Sequence, residues 1–345
     1  VGHPYPIREI ARQAGLSQAT VDRVLNHRGG VRESTVREVH QAIRDLDRQR
    51  TQIRIGGRTF MIDIVMHAPA RFSSAVRDAL EAELPSLHPA VLRSRFHFRE
   101  TCPPAELVGI LDRIARRGSQ GVILKAPDLP ETTAAVSRLA AAGIPVVTLV
   151  TDLPGSARLA YVGIDNRAAG ATAAYLLDQW LGDHPGHALV TISRGFFRGE
   201  EEREMGFRSA LRSTRPGCEL VEVTDSDGLD ATQHDLVLAA LEEDPEINAV
   251  YSIGGGNAAS LEAFQAVGRD PAVFIAHDLD RDNTRLLSER RISAVLHHDL
   301  RQDMRRACLT VMRAHGALPE EGPQLPSPIQ VVTPFNMPPG AVAEG

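Results

Sequence analysis

Lysine is almost missing from this sequence: Lys125 is one of 38 basic side chains, and arginine supplies the rest. So uniform a preference reflects coding composition as much as chemistry. Cysteine is scarce too. Cys102, Cys218 and Cys308 are odd in number, far apart and without metal-ligand spacing, which excludes a disulfide framework and implies reduced thiols. Aromatic residues make up only 4% of the chain, so each one near a strand end carries some information. No apolar run approaches the roughly 20 residues of a membrane span. The opening VGHPYP has no initiator Met, so a few residues are expected to precede it, and it lacks the apolar core of a secretory signal. Cytoplasm is the consistent address. There is no nucleophile elbow, no HExxH, no Walker pattern and no Cys/His cluster; the triplet His297, His298 and Asp299 has no partner at metal-ligand spacing. Neither an enzyme nor a cofactor is expected.

What is present is an ordinary globular composition, 43% hydrophobic and 24% charged over 345 residues. That length suits about two or three domains, each with a core of its own. The net charge of −6 hides an asymmetry: residues 1–58 carry 11 Arg against 6 acids, a net of +5, and the remainder is −11. A basic head on an acidic body points to a polyanion partner for the head alone.

Helical periodicity runs over residues 7–14, 17–26 and 34–46, with Gly15 closing the first helix and Ser17 capping the second. From residue 60 short apolar runs alternate with amphipathic stretches: 60–66, 93–98, 121–127, 144–150, 160–165, 187–193, 218–224, 249–255, 272–278 and 292–299. Continuous apolar strands followed by helices imply parallel sheets covered on both faces. So many strands exceed one comfortable sheet, so two α/β lobes are expected. The proline-rich tail reads as extended.

Two helices joined at a Gly-containing turn, the second polar on one face, describe a helix-turn-helix whose second helix can enter the DNA major groove. Gln18, Ala19 and Arg23 lie on that face, where Gln and Arg supply donors for base edges. Ser17 and Thr20 suit phosphate contacts, which position without specifying. The competing reading is an amphipathic hairpin for protein contacts.

The run IREIARQAGLSQATVDRVLNHRGGVRESTVREVHQAIRDL resembles the LacI/GalR headpiece along its whole length, matching at Ala11, Ala14, Gly15, Ser17, Thr20, Val21, Arg23, Val24, Leu25, Asn26 and onward to Leu46. The resemblance implies base reading by Gln18, Ala19 and Arg23. Asp22 departs from the family's usual Ser and sets a carboxylate at the DNA-facing helix, where it can accept from a cytosine amino group, pair with Arg23 or Arg12, or weaken binding. The linker LDRQRTQIRIGGRTF lacks the family's Pro-Asn and its wedging Leu. Arg48, Arg50, Arg54 and Arg58 can track phosphates instead, and a wedge role for Ile53 or Ile55 stays open. The expected division is a headpiece over 1–47, a linker over 48–59, a two-lobed body over 60–336 and a tail over 337–345.

The body resembles the periplasmic-binding-protein-like type I sensor domain of the same family, most clearly at VGIDNRAAG (162–170), REMGF (203–207) and HDLD (277–280). That resemblance implies a ligand cleft between the lobes. Arg203 falls where sugar-binding relatives fork an Arg onto hydroxyls, against a salt bridge to Glu200 or Glu204 as the plainer role. Asp278 matches a ligand-binding Asp. His298 (or Asp299) stands where relatives have Gln or Asp, and a surface histidine is the alternative. Asn257 lies near a ligand-contacting Asn-Asp pair, and Phe72 where an aromatic stacks on a sugar ring, with core packing as its alternative. Asp152 and Asp128 are weaker cleft candidates. Asp165 and Asn166 suit capping and lobe joining. Together these imply a DNA-binding, ligand-responsive regulator, a repressor and homodimer on double-stranded operator DNA, sensing a sugar or polyol; the alternative is a solute-binding protein for sugar import.

Overall fold

The computed structural model describes residues 4–193, 197–226, 230–322 and 324–338. Helix α1 (Ile7–Ala14) stops where Gly15 takes φ 67°, a left-handed conformation that glycine adopts without a Cβ clash. Ser17 then caps α2 (Gln18–Leu25), its Oγ accepting from the Thr20 N–H at 3.1 Å. Helix α3 spans Glu33–Ile55. The three enclose a small core of Ile10, Ala11, Val21, Val24, Val39 and Leu46.

The long α3 runs on through residues 48–55 of the expected linker. Apolar periodicity fades after Leu46, yet no glycine or proline intervenes before Gly56, so helix propagates through Arg48 and Arg50. Exposed pairing of Gln41 and Arg48 with Asp45 adds modest support. The helix ends at Gly56 and Gly57, the latter at φ 75°. Arg50 therefore belongs to a helix, where it lies against the Tyr5 ring, 6.0 Å from its centroid. The side chains of Ile53, Arg54 and Ile55 lie outside the described residues.

The body has two sheets of the same design. In the first lobe β1 (Thr59–His67), β2 (Val91–Arg99), β3 (Gly121–Lys125), β4 (Val146–Leu149) and β5 (Ala160–Val162) run in spatial order β2-β1-β3-β4-β5, all parallel. In the second, β6 (His187–Ser193), β7 (Leu220–Ser226), β8 (Ile247–Ser252), β9 (Val273–His277) and β10 (Ala294–His297) repeat that order as β7-β6-β8-β9-β10. All ten expected strands are present. An eleventh, β11 (Gln330–Val332), pairs antiparallel with β10 from inside the tail that reads as merely extended. From residue 339 the tail lies outside the described residues.

Helices α4 (Ala70–Glu83), α5 (Pro104–Arg117) and α6 (Pro130–Ala141) cover the first sheet. Helices α7 (Asn166–Leu181), α8 (Arg198–Thr214), α9 (Asp230–Glu243), α10 (Asn257–Ala266) and α11 (Arg281–Ser288) cover the second. Separate apolar clusters line both faces of each sheet. Helix α12 (Leu300–Ala314) follows the second lobe's β10 but packs Met304, Ala307, Cys308 and Val311 into the first lobe's core. The chain thus crosses between lobes three times: at residues 163–165, at 298–299, and again ahead of β11, where Ser327 bridges to Ile164.

Candidate functional site

Two sites take shape, one on the headpiece and one between the lobes. On α2, Gln18, Ala19 and Arg23 are exposed, as a reading face requires, while Val21 and Val24 are buried. Ser17 and Thr20 are partly occupied with each other, their hydroxyls 2.8 Å apart. Asp22 pairs with neither Arg23 nor Arg12: its carboxylate takes Arg28 at 2.9 Å and the Asn26 amide at 2.8 Å. Those contacts pin the turn in which His27 adopts φ 53°. Asn26 is folded back onto α2, and Arg28 is the cation that the sequence reading passed over. An exposed ion pair of this kind adds little to stability, so its effect is to fix geometry.

The interlobe cleft begins with two glycines. A Cβ on Gly170 would lie 1.9 Å from the Arg203 carbonyl oxygen, and one on Gly206 would lie 2.0 Å from that of Arg167. Only glycine at both positions lets α7 and α8 touch backbone to backbone. That contact sets Arg203 beside Asn166, whose Oδ1 accepts from its Nε at 2.8 Å. Arg203 is 3% exposed, makes no bridge to Glu200 or Glu204, and keeps Nη2 without a partner at the cleft wall. Glu200 instead accepts from the Ser193 N–H and hydroxyl, and Glu204 pairs with Arg208.

Across from Arg203, Phe72 stands in the first turn of α4 and Asn257 at the start of α10. Asp278 follows β9 at φ 63°, a strained conformation for a non-glycine residue that turns the chain sharply at the strand end. All four line one cleft, a cavity of about 80 Å³. Asn257 donates to Asn283 at 2.6 Å but leaves its Oδ1 unpartnered, and the buried Oδ1 of Asp278 has only His298, 3.4 Å away. The cleft therefore offers a donor on Arg203 facing acceptors on Asp278 and Asn257. A hydroxyl, which both donates and accepts, satisfies such a pattern.

Two expected cleft residues are elsewhere. Asp152 turns into its own loop, bound by Arg158, by Thr148 at 2.8 Å and by the Leu153 N–H at 2.8 Å. His298 is neither on the surface nor in the cleft wall. It is buried behind Asp278, with Nε2 at 3.4 Å from Asp278 and Nδ1 at 2.5 Å from Asp303. Burial alone pulls its imidazole down, but the two carboxylates outweigh that and push it up to about 9. Asp278 is the mirror case. Burial raises its carboxyl, yet His298 and the charge of Arg203 hold it well below the usual carboxylate range. Asp128 is half-buried outside the cleft lining, and Asp165 caps α7 through the Ala168 N–H.

Four residues that the sequence reading missed complete the wall. Lys125 ends β3 with its ammonium 3.9 Å from the centre of the Phe197 ring. Arg71 reaches across from α4 to Asp280, 3.0 Å away in the second lobe. Glu200 stands near Arg203, and His277 is buried against the Tyr251 hydroxyl at 2.7 Å. Burial holds the His277 imidazole far below its ordinary value, so it is neutral. Lys125 carried a signal of its own, being the sole lysine.

With this geometry in place the comparisons are informative. Residues 6–49 match the family described as bacterial regulatory proteins, lacI family, and residues 64–317 match the periplasmic binding protein domain. No curated protein matches the chain by sequence. Among solved structures, the glucose-galactose binding protein GanP from Geobacillus stearothermophilus aligns over 81% of this chain and 99% of its own, at 21% identity and TM-score 0.71. A putative LacI transcriptional regulator from Bacteroides fragilis aligns over 81% and 98%, at 18% identity and TM-score 0.71. A solute binding protein from Burkholderia graminis in complex with D-arabinose aligns over 82% and 97%, at 20% identity and TM-score 0.70. These likenesses fix the fold of the body as that of type I periplasmic binding proteins. With its helix-turn-helix ahead of that body, the chain belongs to the lacI family of bacterial regulatory proteins.

Proposed function

We propose that this protein is a ligand-responsive transcriptional regulator, a repressor, working in the cytoplasm as a homodimer on double-stranded operator DNA. Its effector is a small hydroxylated metabolite, a sugar or polyol, held in the interlobe cleft. The observation that carries this reading is the joining, in one chain, of an exposed recognition helix to a cleft with unpartnered buried donors and acceptors. Ser17, Thr20 and Arg50 position the headpiece on phosphates, while Gln18, Ala19 and Arg23 read bases. Asp22 and Asn26 act by holding the turn after the reading helix. In the cleft, Arg203, Asp278 and Asn257 bind hydroxyls, Phe72 offers its ring, and His298 orients Asp278. One headpiece has few base-reading side chains, so pairing on a near-palindromic site supplies the missing specificity.

Ligand closes the lobes on each other and shifts the spacing of the paired headpieces. It can do so only by its difference in affinity for the two states. An import solute-binding protein shares the body, but the basic headpiece has no part in that function. A gel shift separates the two. Full-length protein is expected to retard DNA carrying the promoter next to its own gene, with salt-dependent affinity. A chain lacking residues 1–58 is expected to lose that shift and keep ligand binding. Retardation independent of DNA sequence, or unchanged by every ligand that stabilises the protein, would sink the reading.

A further inference from the structure

We propose that the effector carries one carboxylate beside its hydroxyls, a sugar acid in place of a neutral sugar, and that Lys125 is the residue that selects it. The inference rests on the cleft being the sensory site and narrows its ligand class.

The charges of the cleft wall are unevenly engaged. Arg71 is matched by Asp280 at 3.0 Å. Asp278 faces the buried His298, which Asp303 also holds. Glu200 accepts from the Ser193 N–H and hydroxyl. Among the described residues, Lys125 and Arg203 have no carboxylate in an ion pair with them.

Both of these cations are short of acceptors. Among the described residues the Lys125 ammonium makes one hydrogen bond, to the His67 carbonyl oxygen at 3.3 Å. Its other neighbours are the rings of Phe197 and Phe72, with centroids 3.9 and 5.7 Å away. Such burial pulls the ammonium down to about 8. Arg203 is unpartnered at Nη2. Buried cations left unmatched are unfavourable, and a carboxylate, which only accepts, answers both with charge-assisted hydrogen bonds. The N-terminus of α10 opens on the same cleft at Gly256 and Asn257, adding the positive end of a helix. Lys125 belongs to the first lobe and Arg203 to the second, so one carboxylate between them ties the lobes together. Asn257 keeps a free acceptor for a hydroxyl donor. A phosphate monoester, at about two negative charges, would set a second charge among Glu200, Asp278 and Asp280, which line the same cleft.

The choice of lysine is itself informative. A chain that elsewhere uses only arginine has an ammonium here, a compact, strongly hydrated point charge set beside the Phe72 and Phe197 rings.

The test uses full-length protein, calorimetric titration and matched probes: six-carbon aldoses, their aldonic and uronic acids, and their 6-phosphates. At least one acid is expected to bind about ten-fold or more tightly than its parent aldose, the scale of one charge-assisted contact. Lys125→Gln is expected to erase that preference by weakening the acid and sparing the aldose. Lys125→Met repeats the test should the first variant unfold, with thermal unfolding as the check. Tightest binding of a neutral aldose would overturn the proposal while leaving the sensor reading standing. So would tightest binding of a phosphate, or an acid-to-aldose ratio unchanged in both variants. Binding of no probe of any class would remove both.

Discussion

A histidine 1% exposed and held by two carboxylates stands between the cleft wall and the segments that join the lobes. From His298 the path runs to Asp303, then to the Ser327 hydroxyl at 2.5 Å, and from the Ser327 N–H to the Gly163 carbonyl at 2.8 Å. His298, Ser327 and Gly163 lie on the three segments that cross between lobes, so one buried network ties Asp278 to the hinge. The imidazolium has a consequence for pH. Its value in the folded protein, about 9, lies above the ordinary 6.5, so its stabilising contribution is complete below pH 6.5 and lost as pH rises through 9. Burial opposes the charge and Asp278 and Asp303 favour it, while His277 and His297, both pulled down by burial and by His298 itself, stay neutral beside it. Urea unfolding at pH 6 and pH 9.5 should show wild-type protein losing on the order of 1–3 kcal/mol more than His298→Gln across that interval. Equal losses in the two proteins would mean that His298 is neutral when folded.

Between helices the controlling feature is the absence of two side chains, at Gly170 and Gly206. Replacing Gly206 with Ala puts a methyl group 2.0 Å from a backbone oxygen that no rotamer can move, so α8 must shift away from α7. Destabilisation of roughly 1–3 kcal/mol or more is expected in chemical denaturation, together with loss of ligand binding, because Arg203 travels with α8. A variant that keeps wild-type affinity would show that Arg203 is placed by something other than this contact. The motifs around these glycines were visible in the sequence, and so was the alternation of ten strands with helices, because periodicity of apolar residues is local. What stayed hidden was set by tertiary packing or by propagation. Helix α3 outruns its apolar stripe because nothing breaks it before Gly56, although residues 48–55 read as linker. Strand β11 exists because β10 offers an open edge, which three residues in a proline-rich tail do not announce. Asp152 and Asp278 both follow strands and look alike in sequence; an arginine six residues on, Arg158, claims the first and leaves the second to the cleft. His298 shows the same limit, since its partner Asp303 comes from a helix that packs on the other lobe.

At the scale of the whole molecule the question is what holds the lobes together, and the bridge from Arg71 to Asp280 is the obvious candidate. Its energetics argue against a simple latch. Burial pushes the Asp280 carboxyl up to about 6, and Arg71 only partly offsets this, so the ionised form is disfavoured where the lobes meet. In an open cleft the same carboxyl would be hydrated and near its ordinary 3.8. A group that holds its proton more tightly when the lobes close makes closure more favourable as pH falls through 6 toward 4. Closing the cleft is therefore expected to take up a proton at Asp280. Asp280→Asn removes the charge and keeps a good helix cap, since the side chain accepts from the Asn283 N–H at 2.8 Å and Asn caps as well as Asp. Ligand affinity in this variant at pH 7 should equal or exceed wild type by up to about ten-fold, the scale set by the differential stability of the two states. Wild-type affinity should rise toward the variant's as pH is lowered from 7 to 5, the ratio of the two isolating Asp280 from any other group that titrates in that interval. Arg71→Ala should act in the opposite sense, weakening ligand binding by leaving a buried carboxylate without its counter-charge. Titration calorimetry of the three proteins at both pH values measures all of this at once. If Asp280→Asn weakened binding as much as Arg71→Ala, the bridge would be a latch after all and closure would not be coupled to a proton.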